Sequence, residues 1–190
     1  MNHNNIKKPK NTLLLMACAN KMPKVALALI ATGKSKPEQV NSKGYTALIV
    51  ACENNMPEVA LALIRTGQSN PGHSTPFNCT ALIYACAKKM STVALALIAT
   101  GKSNPEQVNS VGNSALIFAC DNNMHEVVLA LIATGKSNPG QVNRVGKTAL
   151  NYAVVNNMHQ IVLKLFEILP FYLYLKKLNN HIYLVNLIRK

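Results

Sequence analysis

The sequence predicts an all-α solenoid of stacked helix-turn-helix units with hairpin-like connectors, about five repeats long, followed by a C-terminal capping segment. The first observation is an internal period of 34 residues, which is marked by Thr12, Thr46, Thr80, Ser114 and Thr148. The second is the composition, because 49% of the 190 residues are hydrophobic and only 14% are charged. A regular period of this length is typical of repeats that stack into one continuous core.

The first helix of each repeat is predicted from its ends and its apolar side. In the second repeat, residues 46–55 open with Thr46, whose hydroxyl can accept a hydrogen bond from a free N–H of the first turn. Alanine, leucine and cysteine then recur at helical spacing. Asn54 and Asn55 close the helix, since asparagine tolerates the left-handed backbone that ends helices.

The second helix follows at once. Pro57 suits a first turn, where its missing N–H is harmless, and Glu58 meets the positive end of the helix dipole. The helix is apolar nearly all round, so we expect it to be buried between its neighbours. Gly67 ends it, and the turn-forming residues 68–72 lead to the next repeat. Neither helix is long enough to be stable alone, so stability must come from stacking.

These residues together identify a family. The second repeat contains Gly44-x-Thr46-Ala-Leu48-x-x-Ala51-Cys52-x-Asn54-x-x-x-Glu58-Val59-x-x-x-Leu63-Ile64-x-x-Gly67. This pattern resembles the ankyrin repeat, whose usual form is G-x-T-P-L-H-x-A-A-x-x-G-H-x-E-V-V-x-x-L-L-x-x-G. Alanine replaces the proline of that form, and isoleucine usually replaces its histidine. The amino-acid sequences of the connectors and of the Ala-Cys-x-Asn-Asn-Met segment are also similar to those of ankyrin arrays of giant DNA viruses.

The predicted organisation has three parts. Residues 1–9 are a basic N-terminal extension, and residues 10–169 are five repeats, with bounds 10–43, 44–77, 78–111, 112–145 and 146–169. Residues 170–190 form an apolar, aromatic and basic tail. Because Leu184 falls in phase with Leu150, the tail is interpreted as a degraded sixth repeat that caps the array. A segment lying on an anionic membrane surface, or a docking motif, remains open as an alternative.

The candidate chemical groups favour packing over catalysis. Four cysteines recur at the repeat period with no second cysteine nearby, as a zinc site would need, so we interpret them as core residues. Cysteines used in this way fit a reducing compartment, and we expect a cytoplasmic protein, of a host cell if viral. The histidines and acids share no spacing suited to acid–base work, and no phosphate loop is present. We expect no enzyme activity, no metal and no cofactor.

The resemblance implies where a partner binds. In the ankyrin family, partners usually contact the hairpin tips and the outward side of the first helix. In this sequence these positions differ from one repeat to the next while the residues around them stay fixed. The candidate partner-binding residues are Lys43, Tyr45, Glu53, Asn54, Phe77, Cys79, Lys88, Asn113, Asp121, Arg144 and Lys147.

The sequence therefore predicts a non-catalytic scaffold, a monomer that binds a protein partner not identified by its sequence. The alternative is electrostatic binding to nucleic acid or to an anionic membrane through the basic ends. The net charge of +13 supports this alternative, since the stretch before the first apolar segment and the tail contain no acid. Their basic residues are Lys7, Lys8, Lys10, Lys176, Lys177, Arg189 and Lys190. The middle of the chain lacks the dense basic and aromatic stripe that strand binding uses, so we expect neither nucleic acid nor membrane as the partner.

Overall fold

Ten α-helices, arranged as five consecutive pairs, make up the computed structural model, which describes residues 12–169. The basic extension 1–9 and the tail 170–190, with its proposed cap, lie outside the described residues. The helices are α1 (Leu13–Ala19), α2 (Pro23–Ala31), α3 (Ala47–Glu53), α4 (Pro57–Arg65), α5 (Ala81–Ala87), α6 (Ser91–Ala99), α7 (Ala115–Asp121), α8 (His125–Ala133), α9 (Ala149–Val155) and α10 (His159–Ile168).

The predicted helix ends are confirmed. The side-chain oxygen of Thr46 accepts a hydrogen bond from the backbone N–H of Ile49 at 3.3 Å, and a Thr or Ser caps the first helix of every repeat in the same way. Asn55 follows with a φ of 55°, the left-handed conformation expected there. Pro57 is the first residue of α4. Local side-chain chemistry thus fixes where each helix begins and ends.

Hairpin-like connectors join the repeats. An antiparallel bridge pairs Val40 with Thr46, and the same bridge returns in the next two connectors. The Asn41 carboxamide oxygen accepts hydrogen bonds from the backbone N–H groups of Lys43 and Tyr45, at 2.9 and 3.0 Å. A side-chain acceptor at the start of the turn therefore holds the tip closed.

First helices pack on first helices, and second helices on second helices, along the stack. The leucine in the first turn of α3, α5 and α7 is fully buried at this contact. The repeated cysteines are buried as well, which confirms their assignment to the core. The methionine before each second helix is buried in repeats two to five and exposed only at Met22 of the first.

The second helices are buried between their neighbours, as expected, but one side of each helix is exposed. Leu27, Leu129 and Leu163 lie at one position of the repeat and are exposed, while Leu61 and Leu95 at the same position are partly exposed. The reason is geometric. In a two-layer stack, a second helix has a first helix on one side and its own copies on two more, and among residues 12–169 nothing covers its fourth side.

Asparagine side chains bridge consecutive repeats. The amide nitrogen Nδ2 of Asn54 donates to the backbone oxygen of Cys18 at 2.9 Å, that of Asn122 to Cys86 at 2.9 Å, and that of Asn156 to Cys120 at 2.8 Å. Lys88 occupies this position in the third repeat. The bond is part of the scaffold, since it ties the end of one first helix to the end of the helix before it.

Replacing Lys88 by asparagine is expected to supply the one missing bridge, to the backbone oxygen of Cys52. We expect Lys88→Asn to raise the free energy of unfolding by about 1 kcal/mol, the net value of an intramolecular hydrogen bond. Urea denaturation followed by circular dichroism measures the change. Lys88→Ala is the matched control, because it removes the lysine without adding an amide. Equal stability of the two variants would contradict the prediction.

Candidate functional site

The hairpin tips and the partly exposed side of the first helices form one surface, called here the variable face. Its hairpin positions are 42, 43, 45 and their equivalents, and its helix positions are 53, 54 and their equivalents, together with Tyr84, Phe118 and Tyr152. Contacts across repeats join the two sets. Tyr45 of a hairpin lies close enough to Tyr84 of the next first helix to raise the pKa of the Tyr84 phenol. The Tyr84 hydroxyl also lies 3.5 Å from Oε1 of Glu53, to which it donates.

Tyr84 is held as a hydrogen-bond donor. Burial raises the pKa of its phenol above the ordinary value, and the neighbouring Tyr45 and the Glu53 charge raise it further. A phenol is protonated at neutral pH even without such a shift, so the Tyr84 hydroxyl can donate to the Glu53 carboxylate. Two predicted residues, Tyr45 and Glu53, are brought together in this way by a third residue that sequence reasoning did not single out.

A second polar network lies between the fourth and fifth repeats. Nδ2 of the buried Asn143 donates to the Asn113 carboxamide oxygen at 2.8 Å and lies 3.4 Å from the Tyr152 hydroxyl. The Asn143 carboxamide oxygen accepts from the backbone N–H of Lys147 at 2.9 Å. The side chain of the predicted residue Asn113 is thus held by its neighbour, and it remains partly exposed.

Apolar side chains project from the hairpin tips. Phe77 is 60% exposed and Val145 is 72% exposed. Neighbouring tips are bonded to each other, because the backbone N–H of Ser110 donates to the Phe77 oxygen at 2.9 Å and that of Arg144 to the Val111 oxygen at 3.0 Å. The tips are therefore presented by a connected backbone, which limits the ordering cost of binding.

The predicted partner-binding residues fall into two groups by their exposure to solvent. Exposed to solvent are Lys43, Phe77, Lys88, Asp121, Arg144 and Lys147. Partly buried are Tyr45, Glu53, Asn54, Cys79 and Asn113. The first group is free to contact another molecule. In the second group, the amide nitrogen of Asn54 is already engaged in the bridge between repeats.

Sequence reasoning missed an aromatic column on this face. Tyr84, Phe118 and Tyr152 occupy the same position in successive first helices and are partly exposed. The signal was available, because this position holds Met16 and Val50 in the first two repeats and so varies like the hairpin positions. It was overlooked since aromatic residues inside an apolar helix are usually assigned to the core.

The thiols carry no sign of activation. Burial raises the pKa of Cys18, Cys52 and Cys120 to about 12, and burial raises that of Cys86 as well. Cys79 is the partly exposed one, and desolvation also raises its pKa above the ordinary value. Reactive thiols have lowered pKa values, and none of these five thiols has one. The four buried cysteines are packing residues.

Thiol labelling of the folded protein tests this arrangement. At pH 8, we expect Cys79 to react with an aromatic disulfide reagent at least about a hundredfold faster than the four buried thiols, which need local unfolding to be reached. Mass spectrometry of the labelled peptides identifies the site. Cys79→Ala should abolish the fast phase, whereas Cys52→Ala should leave it intact; fast labelling at Cys52 would contradict the burial described here.

Two kinds of site are absent from residues 12–169. In this part of the chain, no three histidine, cysteine or acidic side chains come close enough to hold a metal ion. Nor does any helix of these repeats have the length and apolar character that crossing a membrane requires.

The comparison with known protein families agrees with the fold. A family model described as ankyrin repeats, in three copies, matches residues 13–107, 63–140 and 82–170, which together extend over most of the chain. No curated protein is significantly similar to the chain.

Proposed function

Because the chain belongs to the ankyrin-repeat family, we propose that its variable face binds a segment of another protein. Ankyrin repeats generally mediate protein–protein interaction. The observation that supports this face most directly is the 60% exposure of Phe77 at a tip whose backbone is bonded to its neighbour. An exposed aromatic side chain on a fixed backbone is a typical anchor of an interface.

The face offers a partner both apolar and polar contacts. Phe77 and Val145 supply apolar area at the tips, and Tyr84 and Tyr152 supply aromatic area with a hydroxyl along the helices. Tyrosine suits interfaces because it buries much area while its hydroxyl keeps a hydrogen-bond partner. We propose a partner segment that inserts apolar side chains between the tips and hydrogen-bonds to the tyrosines.

Charge on the face is mixed, which bears on selectivity. Lys43, Arg144 and Lys147 lie at the hairpins, while Glu53 and Asp121 lie at the ends of first helices. A partner segment with acids toward the hairpins and bases toward the helices would be complementary. Such complementarity affects selectivity and association rate more than raw affinity.

Selection of binding peptides, followed by measurement with variants, tests the proposal. Peptides displayed on phage are selected on the whole chain, and the dissociation constant of the best one is then measured. We expect Phe77→Ala to weaken binding by about tenfold or more, the loss typical of an anchor residue. Leu129→Ala is the matched control, since Leu129 is exposed on the outer side of a second helix. Equal binding to both variants would refute the proposed site.

The remaining functional predictions rest on the sequence. We propose a non-catalytic monomer acting in the cytoplasm. From the amino-acid sequence of the repeats alone, we also propose a viral origin. Binding of nucleic acid or membrane through the basic ends concerns residues outside the described part of the chain and has no support from the surface described above.

A further inference from the structure

The first repeat exposes a set of apolar side chains that every later repeat buries. In the second repeat, Met56 is 5% exposed and Val59 is fully buried, because the first repeat covers them. The same two positions in repeats three to five are also buried. In the first repeat they are Met22 and Val25, which are 47% and 42% exposed.

Leu13 enlarges this apolar surface. It stands at the first position of α1, where the other four repeats have a buried alanine, and it is 69% exposed. The surface made of Leu13, Met22 and Val25, with Lys21 and Lys24 beside it, is called here the N-terminal face.

The opposite end of the described stack has a different character. Asn151 in α9 takes the position of Ile49, Ile83 and Ile117, which are buried against the following repeat. Asn151 is exposed, and its side chain accepts a hydrogen bond from the backbone N–H of Thr148 at 2.8 Å. Terminal repeats of solenoids need a polar outer face to be soluble. The fifth repeat has such a residue at this position, but Val154 in the same helix is 39% exposed where the other repeats bury a cysteine. This end is therefore mixed in polarity, whereas the exposed face of the first repeat is apolar.

The surroundings of the N-terminal face are positively charged. Lys21, Lys24, Lys34 and Lys36 lie within residues 12–37, a stretch without any acid. Two hollows border the first repeat. One of about 250 Å³ is lined by α1 and α2 residues and by Lys34 and Lys36. The other, of about 340 Å³, is lined by Met22, Pro23, Lys24 and Val25. Apolar floors with lysine edges suit a ligand that is apolar on one side and acidic at its margins.

The repeats themselves indicate the form of the occupant. Each of the four later copies of this face is covered by a pair of helices. Residues 1–11 are a poor cover, since they contain Met1 and Ile6 as their large apolar residues and three lysines of the same sign as the face. A second copy carries a net charge of +13, the same sign as the lysines around this face, so charge does not favour it as the occupant.

We propose that the N-terminal face binds an amphipathic helix of a partner protein, with leucine-like residues on one side and acids along its edges. This surface lies at the end of the stack, apart from the variable face along its side. A chain with both sites can hold two protein segments at once.

A designed peptide tests the proposal with the full chain. The probe is a synthetic helix of about 18 residues with leucines at helical spacing and glutamates elsewhere, and its binding is followed by fluorescence anisotropy. We expect Val25→Glu to weaken binding by about tenfold or more, since it places a like charge in the apolar contact. Leu163→Glu is the matched control, because Leu163 is 48% exposed on a second helix at the other end, and it should bind as the unaltered chain does. Circular dichroism checks that both variants fold.

A charge-reversal variant tests the same binding if Val25→Glu does not fold. The double variant Lys21→Glu with Lys24→Glu should show the same loss. The proposal is overturned if the unaltered chain fails to bind the glutamate peptide, or if a matched peptide with lysines binds as tightly. It is also overturned if removal of residues 1–11 is required for binding, or if phosphatidylserine vesicles bind through Val25 while the peptide does not. Phe77→Ala leaves the N-terminal face unaltered. The proposal for this face can therefore fail while the proposal for the variable face holds, and the reverse.

Discussion

Leu82→Ala is expected to cost about 2–5 kcal/mol of unfolding free energy, the usual range for truncating a fully buried leucine. Leu82 lies in α5 of the central repeat and has no exposed area. Its removal leaves a cavity between the first helices α3 and α7, which flank α5 on either side. Because stability in a solenoid comes from contacts between neighbouring repeats, the loss weakens both sides of the stack.

The same substitution in the last repeat is the matched control for Leu82→Ala. Leu150 occupies the equivalent position but is only partly buried. Leu150→Ala should therefore cost clearly less, since less apolar area leaves water when this side chain packs. Urea denaturation followed by far-ultraviolet circular dichroism measures both values. Equal costs would show that position within the repeat, and not burial in the stack, sets the contribution of this leucine.

The helices were predictable because their determinants are local. Thr46 caps a helix through a backbone N–H only three residues away, and Asn55 adopts its left-handed backbone within the same turn. The buried cysteines were predictable for a related reason, since the period itself places them on one face of each first helix. A period in the sequence thus determines the stack once the helix pair is recognised.

The features that escaped prediction all depend on neighbours along the stack. The Asn54 amide bonds to a carbonyl 36 residues earlier, a contact that helical spacing does not suggest. The exposure of Leu129 depends on which side of a second helix has no neighbour. Tyr84 looked like a core residue, yet its hydroxyl reaches Glu53 of the previous repeat. The candidate site was therefore predicted at its hairpins and incompletely on its helices.

Gly112→Ala is the second substitution with a large expected effect, because it acts between two hairpins. Gly112 has a φ of +80°, where alanine is strained by about 1–2 kcal/mol. A Cβ there would lie 2.9 Å from the Cα of Asn143 and 3.2 Å from the backbone oxygen of Val142. These are backbone atoms and not flexible side chains, so the next hairpin must shift.

Gly146→Ala separates the strain of the backbone from the steric contact with the next hairpin. Gly146 has a φ of +73°, and a Cβ added there would meet no atom within 4 Å. We expect Gly146→Ala to show the backbone strain alone and Gly112→Ala to cost about 1–2 kcal/mol more, in the range of local packing disruption. Chemical denaturation of both variants measures the difference. The shift should also disturb the bond between the Arg144 N–H and the Val111 oxygen. That bond fixes the tips that we propose as the binding site. Gly112→Ala should therefore weaken peptide binding at the variable face more than Gly146→Ala does. Equal effects of the two substitutions would contradict the close approach of the two hairpins.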